Sequence, residues 1–309
     1  MNRLITPTLT APSTNLTHTP VEHLAALPNP SYNELSQFTQ DYHTGRFRNG
    51  MLAILNRHAE SVFNKTKIYQ GAHTYSPLTP LGFEQADRLG AALSDIEIHS
   101  LFASPMIRTQ QTANHHSKHR ITAPALQILP DLSEVESGIL QGWPKKMSQS
   151  EVQDFLAHET DTEFRKAYCN AYQITDELLS IVYWNLRRHA EHIEMLARLQ
   201  GLSTDQYVES LKRVADKLNK RPPCGESLKD AKTRMDRLIV QHIYPLEQGV
   251  HVFVGHGTST ALTLMGMLNV PLEKKSYVSR IKQANANINI LYREQQSAPW
   301  ELLLLNYVP

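Results

Sequence analysis

The chain has 309 residues, which at about 150 per domain leaves room for one large domain with insertions or for two small ones. Hydrophobic residues make up 41% of it, and 31 basic residues against 30 acidic ones leave a formal net charge of +1. That balance excludes a disordered chain and a surface-wide attraction to nucleic acid or to a membrane, so any anion binding must be local. Two cysteines, Cys169 and Cys224, are too few for a disulfide framework or a four-thiolate zinc site and point to a reducing cytoplasm.

Residues 1–45 are dense in Thr, Pro, Asn and Ser and carry no sustained apolar period, which predicts a mobile or loosely docked arm before a domain over 46–309. No secretory signal or membrane-length apolar run is found. From Arg46 the pattern alternates strand and helix, the signature of an α/β fold with a mostly parallel sheet and helices on both faces. MLAILN (51–56) reads as a buried strand and LGFEQADRLGAAL (81–93) as a helix. IHSLFAS (98–104) reads as a second strand, followed by a helix from Pro105. ALQILP (125–130) gives a third short strand. Residues 144–221 are charged, poor in glycine and helical in period, so they predict a helical insertion over the site. A long amphipathic helix over 225–247, a strand at VHVFVG (250–255) and a helix at TSTALTLMGML (258–268) follow. INILY and ELLLLNY close the chain as an antiparallel edge pair.

Ligands of open α/β sheets bind beyond the carboxyl ends of the strands, so the residues just past each strand come first. Arg57, His58 and Asn64 follow the first strand, and Ser104 and Arg108 the second. Glu134 and Glu136 follow the third, and His256 with Gly257 the fourth. Two histidines, two arginines and a carboxylate would then meet at one edge. Arginine forks fix the oxygens of a phosphate monoester. A neutral imidazole can attack phosphorus, and a protonated carboxyl can supply the leaving group's proton. No metal is obligatory for such a reaction.

RHAES (57–61), SPLTPLGFEQA (76–86), ASPMIRTQQTA (103–113), LSEVESGILQGW (132–143), GESLKD (225–230) and FVGHG (253–257) occur in this order. Together with NANINIL (285–291) they resemble the motifs of the histidine phosphatase superfamily, also called phosphoglycerate mutase-like. The resemblance implies His58 as the phosphorylated nucleophile. It implies His256, Arg57 and Arg108 as the phosphate pocket, with Asn64 and Gly257 beside it. Glu134 matches the proton donor, and Glu226 is expected to cap or orient a helix. Gln70, Arg187 and Arg188 are candidate substrate contacts. Ala59 departs from the glycine usual in that family. No cofactor and no metal are implied.

Three readings follow. A phosphomonoester hydrolase acting on a small phosphorylated substrate or a phosphoprotein fits best, because Val135, Glu136 and Ser137 stand where mutases carry basic and tyrosyl residues. The long interval between Glu134 and Glu226, and Lys145, favour a phosphomutase instead. A catalytically inactive binding module is the third. His189 and His192, one helical turn apart without a third ligand at partner spacing, are expected on a solvated face. His115, His116, Lys118, His119 and Arg120 are expected to form a basic loop. Oligomeric state is not encoded in any pattern found.

Overall fold

A computed structural model describes residues 27–215, 219–273 and 275–309. In chain order it contains α1 (Leu35–His43), β1 (Met51–Arg57), α2 (Val62–Lys65), α3 (Pro80–Ala92), β2 (Ser100–Ala103), α4 (Ile107–Lys118) and β3 (Leu126–Ile128). Then come α5 (Gln149–Ala157), α6 (Thr162–Tyr172), α7 (Asp176–Leu199), α8 (Thr204–Ala215) and α9 (Leu228–Leu238). The chain ends with β4 (Gly249–Gly255), α10 (Gly257–Met267), α11 (Lys275–Arg280), β5 (Ile288–Arg293) and β6 (Glu301–Tyr307).

The strands form one sheet in the order β3-β2-β4-β1-β5-β6. β3, β2, β4 and β1 are parallel, while β5 and β6 run antiparallel to their neighbours. β1 is apolar on both faces because both are covered. Leu52 and Ile54 pack with Leu89 of α3 and Phe38 of α1, whereas Met51, Ala53 and Leu55 pack with Met235 of α9 and Leu264 of α10. The alternation follows from the two-residue period of a strand. β1 pairs with β4 so that Arg57 lies opposite Gly255, and β2 with β4 so that Ala103 lies opposite Val254. Three carboxyl ends therefore finish side by side, and the residues after them meet.

α3 begins where the sequence places it: Thr79 accepts the Gly82 N–H at 3.0 Å and Pro80 opens the first turn. Gly82 lies where any side chain would strike the Glu60 carbonyl. α5, α6, α7 and α8 fill the predicted insertion and bury a separate core in which Tyr183, Leu186 and Val208 meet Phe63 and Trp143 of the main domain.

Several expectations are corrected. Residues 1–26 of the expected arm lie outside the described residues. Beyond them the chain docks: Ser31 and Tyr32 donate backbone N–H groups to the Leu302 and Leu303 carbonyls at 3.0 and 2.8 Å, and Phe38 is fully buried. Leu35 and Phe38, three residues apart on α1, supply the apolar contact that holds it. The helix expected over 225–247 begins only at Leu228, capped by the Ser227 and Asp230 side chains, and passes at Ile239 into a π-helical turn. The expected basic loop at 115–120 is mostly the end of α4. Its His116 is fully buried, with Nε2 3.1 Å from Asn56 Oδ1, and burial pushes its pKa down to about 3.

Candidate active site

Arg57 ends β1. Its backbone N–H donates to Asn287 Oδ1 at 2.9 Å and its Nη1 to the Gln283 carbonyl at 2.6 Å, so the guanidinium is fixed from the β5 side. His58 follows, 1% exposed, with its N–H on the Gly255 carbonyl at 3.0 Å. Its Nδ1 donates to the Ala59 carbonyl at 2.7 Å, which leaves the Nε2 lone pair free to act. His256 is the residue just before α10 and is fully buried, with Nε2 2.7 Å from Ser104 Oγ. Burial, reinforced by the Arg108 and Arg57 guanidiniums, holds His58 well below its ordinary 6.5. Burial and the same arginines do so for His256. Both rings are neutral at neutral pH.

Arg108 lies in the first turn of α4 and is fully buried, with Nη1 on the His73 carbonyl at 2.6 Å and Nη2 on the Gly71 carbonyl at 2.8 Å. Burial pushes it down to about 9. A guanidinium in such a place costs desolvation and is retained where an anion must be met. Arg57 Nε, Arg108 Nε and His256 Nδ1 are buried polar atoms without a partner among the described residues.

Gln70 is held in one orientation. Its Oε1 accepts the Ser61 and Ser76 hydroxyls at 2.5 and 2.8 Å, which turns Nε2 to 3.4 Å from His58 Nε2. Asn64 Oδ1 accepts from Asn285 Nδ2 at 3.2 Å. The Glu134 carboxylate sits on the N-terminus of α10, accepting the Thr258 and Ser259 N–H groups at 3.0 Å each and that of Val135 at 2.9 Å. Amides with no partner inside the helix and the helix dipole make this an anion position, which Glu134 fills. Gly138 turns the chain just beyond it at φ +55, where a side chain would strike the Pro223 carbonyl.

A cavity of about 720 Å³ opens here, lined by six of the sequence-predicted residues: Arg57, His58, Asn64, Gln70, Glu134 and Gly257. Arg108 and His256 are buried close by, near enough for Arg108 to act electrostatically on both imidazoles. Glu136 is exposed at the mouth, with Lys145 and, from α8, Lys212 and Arg213. One wall is apolar, made of Val135, Leu228, Val278 and Ile281. Arg187 is not brought here, since it pairs with Glu159 across the insertion. Arg188 lies over the Trp184 ring at 5.8 Å and is likewise not part of this lining. His189 is not on a solvated face: it packs against Gly142 and lies 6.2 Å from His73, and burial pushes it down to about 4. Among the described residues no cluster of three metal-ligating side chains occurs, and no helix is long and apolar enough to cross a membrane.

Sequence reasoning missed Lys212 and Arg213, because amphipathic spacing does not say where an inserted helix points. It also missed Arg234. That side chain grips Glu226 through Nε at 2.9 Å and Nη2 at 2.6 Å. The only local signal was a basic residue eight positions after Glu226.

An α/β sheet with two imidazoles and two arginines at one strand edge defines a class of phosphoryl-handling protein. The chain belongs to the histidine phosphatase superfamily (branch 1), whose model matches residues 53–193 and 194–307. It is 28% identical over 228 residues to the 2,3-bisphosphoglycerate-dependent phosphoglycerate mutase of Chlamydia pneumoniae, covering 70% of this chain and 83% of that one. It is 36% identical over 90 residues to the fructose-2,6-bisphosphatase TIGAR of Xenopus laevis, which is 28% of this chain and 33% of that one. In structure it is similar to YhfR of Bacillus stearothermophilus, with a TM-score of 0.57 at 16% identity over 84% of this chain and 98% of that one.

Proposed function

We propose that the protein hydrolyses phosphate monoesters through a phosphohistidine on His58. The observation that carries this reading is the pairing of a fully buried Arg108 and a partly buried Arg57 with two neutral imidazoles at the strand ends. His58 Nε2 attacks phosphorus, the new N–P bond forms as the P–O bond to the leaving group breaks, and Glu134 gives the departing oxygen its proton. In the second step a water loses its proton to Glu134 and displaces the phosphoryl group, which restores His58. Arg57, Arg108, His256, Asn64 and Gln70 hold the phosphoryl oxygens, with Gly257 beside them.

The apolar lining residues Val135, Leu228, Val278 and Ile281 support a leaving group with an apolar portion, larger than the phosphate alone. Two free cysteines support a reducing, cytoplasmic setting. The test is hydrolysis of p-nitrophenyl phosphate by wild type and His58→Ala, with acid-labile radiolabel trapped on the protein. Turnover and label are expected in wild type, with loss of about three orders of magnitude or more in the variant. Full activity in His58→Ala would overturn the assignment.

A phosphomutase is the second reading, favoured by Lys145, Lys212 and Arg213 at the mouth and by the length over which the Chlamydia pneumoniae mutase matches. Against it, the carboxylate of Glu136 at the same mouth repels a phosphorylated acid. Isomerisation of a phosphoglycerate faster than its hydrolysis would decide for the mutase. Phosphate binding without any covalent label would leave the inactive binding module.

A further inference from the structure

We propose that Arg234 is a positioning residue for Glu134, acting with Glu226 to fix the loop that carries the proton donor. The proposal rests on the hydrolase reading given above. Arg234 lies on α9, its side chain 14% exposed, and all five of its guanidinium N–H groups have acceptors. Two go to the Glu226 carboxylate, Nε at 2.9 Å and Nη2 at 2.6 Å. Nη1 reaches the Asp131 and Ser133 carbonyls, both at 2.8 Å, and the remaining Nη2 hydrogen points to the Glu134 carbonyl at 3.3 Å. Glu226 Oε2 in turn accepts the Glu136 N–H at 3.2 Å, and the Glu226 N–H donates to the Glu136 carbonyl at 2.9 Å.

The backbone on both sides of Glu134 is thus held by one ion pair. Arg237, one turn further along α9, grips the Asp131 carboxylate with Nε and Nη2 at 3.0 and 2.6 Å and anchors the start of the same loop. Loops do not hold a reacting atom by themselves, and a displacement of about 1 Å can cost about 10²-fold in rate. A planar five-donor fork is the one side chain that can hold three carbonyls and a carboxylate at once. Lysine offers three donors from a point charge and cannot reproduce the set.

A structural role would slow every substrate alike, whereas misplacing a proton donor slows those whose leaving group needs the proton most. The experiment compares p-nitrophenyl phosphate, which has a good leaving group, with β-glycerol phosphate, which has a poor one. Wild type, Arg234→Lys, Arg234→Met and Glu226→Gln are measured, each with and without Glu134→Gln. General acid catalysis is worth about 10²–10⁴-fold, so kcat/KM on β-glycerol phosphate is expected to fall about tenfold or more in Arg234→Met while the nitrophenyl ester loses less than about threefold. Glu226→Gln and Arg234→Lys keep the loop packed and are expected to give the same selectivity at smaller size, so misfolding of the methionine variant leaves the test standing. In the Glu134→Gln background the selective loss should vanish. Equal loss on both esters, or a selective loss that persists without Glu134, overturns the proposal while leaving the hydrolase reading intact. A wild type that turns over neither ester overturns both.

Discussion

The imidazoles of His58 and His256 stand edge to face, 5.2 Å between centroids and 64° between planes, each the residue immediately after a parallel strand. Their adjacency is a consequence of register, since Arg57 and Gly255 are partners across the β1–β4 ladder. Two protonated rings at this separation, with Arg57 and Arg108 beside them, would repel strongly in a water-poor site.

Their common neutrality sets a pH prediction. Both rings are held well below the ordinary 6.5 by burial and the neighbouring guanidiniums. After correction for the substrate's own second ionisation near about 6, kcat/KM should show no loss through pH 6.5, and its acid limb should lie lower. The stability effect has the same origin. Below 6.5 the unfolded chain binds protons at these histidines that the folded chain refuses, so stability is lost as pH falls from 6.5 toward the lower folded values. Melting temperatures between pH 7.5 and 5 check this, with a flat curve as the contrary result.

Arg108→Lys tests the fork. Nη1 and Nη2 are held by the His73 and Gly71 carbonyls while Nε stays unpaired. A lysine cannot satisfy two carbonyls and face an anion at the same time. We expect kcat/KM to fall about 10²-fold or more, measured with p-nitrophenyl phosphate at saturating and subsaturating concentration. Near wild-type activity would show that Arg108 serves packing alone.

Phe38→Ala tests the docked N-terminal segment. Phe38 is fully buried between Tyr32 and Phe47, its ring 5.5 Å from that of Phe47. Removing a buried phenyl ring typically costs about 3–5 kcal/mol. Denaturant unfolding should show a loss of that size if α1 belongs to the cooperative unit. A loss under about 1 kcal/mol would mean that the segment undocks at little cost.

What the sequence made legible follows from how local each signal is. β1, β2 and β4 were readable because strands covered on both faces are continuous apolar runs. The residues just past them needed only the rule that parallel strands end together to place Arg57, His58, Ser104 and His256 at one edge. Glu134 follows a three-residue edge strand and was placed by its motif, not by periodicity. Arg234 was invisible because its carbonyl partners lie about a hundred positions away and carbonyls have no sequence signature. Arg187 misled for the converse reason: an exposed arginine on an inserted helix has many acids within reach, and here Glu159 lies next to it. The π-helical turn at Ile239 came from no residue that breaks helices, so the amphipathic pattern ran on past the true end.

The orientation of Gln70 gives the last prediction. An amide has two ends of nearly equal shape, and here two hydroxyls choose between them. The Ser76 hydroxyl accepts the Phe63 N–H at 3.1 Å, which leaves its own hydrogen for Gln70 Oε1, and Ser61 supplies a second. The Nε2 end therefore faces His58 Nε2, where a phosphoryl oxygen would need a donor and a carbonyl would repel it. Gln70→Glu keeps the shape and replaces the donor with a negative charge. Competitive inhibition by orthophosphate should weaken about tenfold or more in that variant, since a charged group is set against a dianion in a partly buried site. Ser76→Ala removes one of the two hydroxyls and should give a smaller weakening of the same kind, carried in KM more than in kcat. If Gln70→Glu binds orthophosphate as wild type does, the amide does not face the phosphoryl group and Ser76 has no part in its recognition.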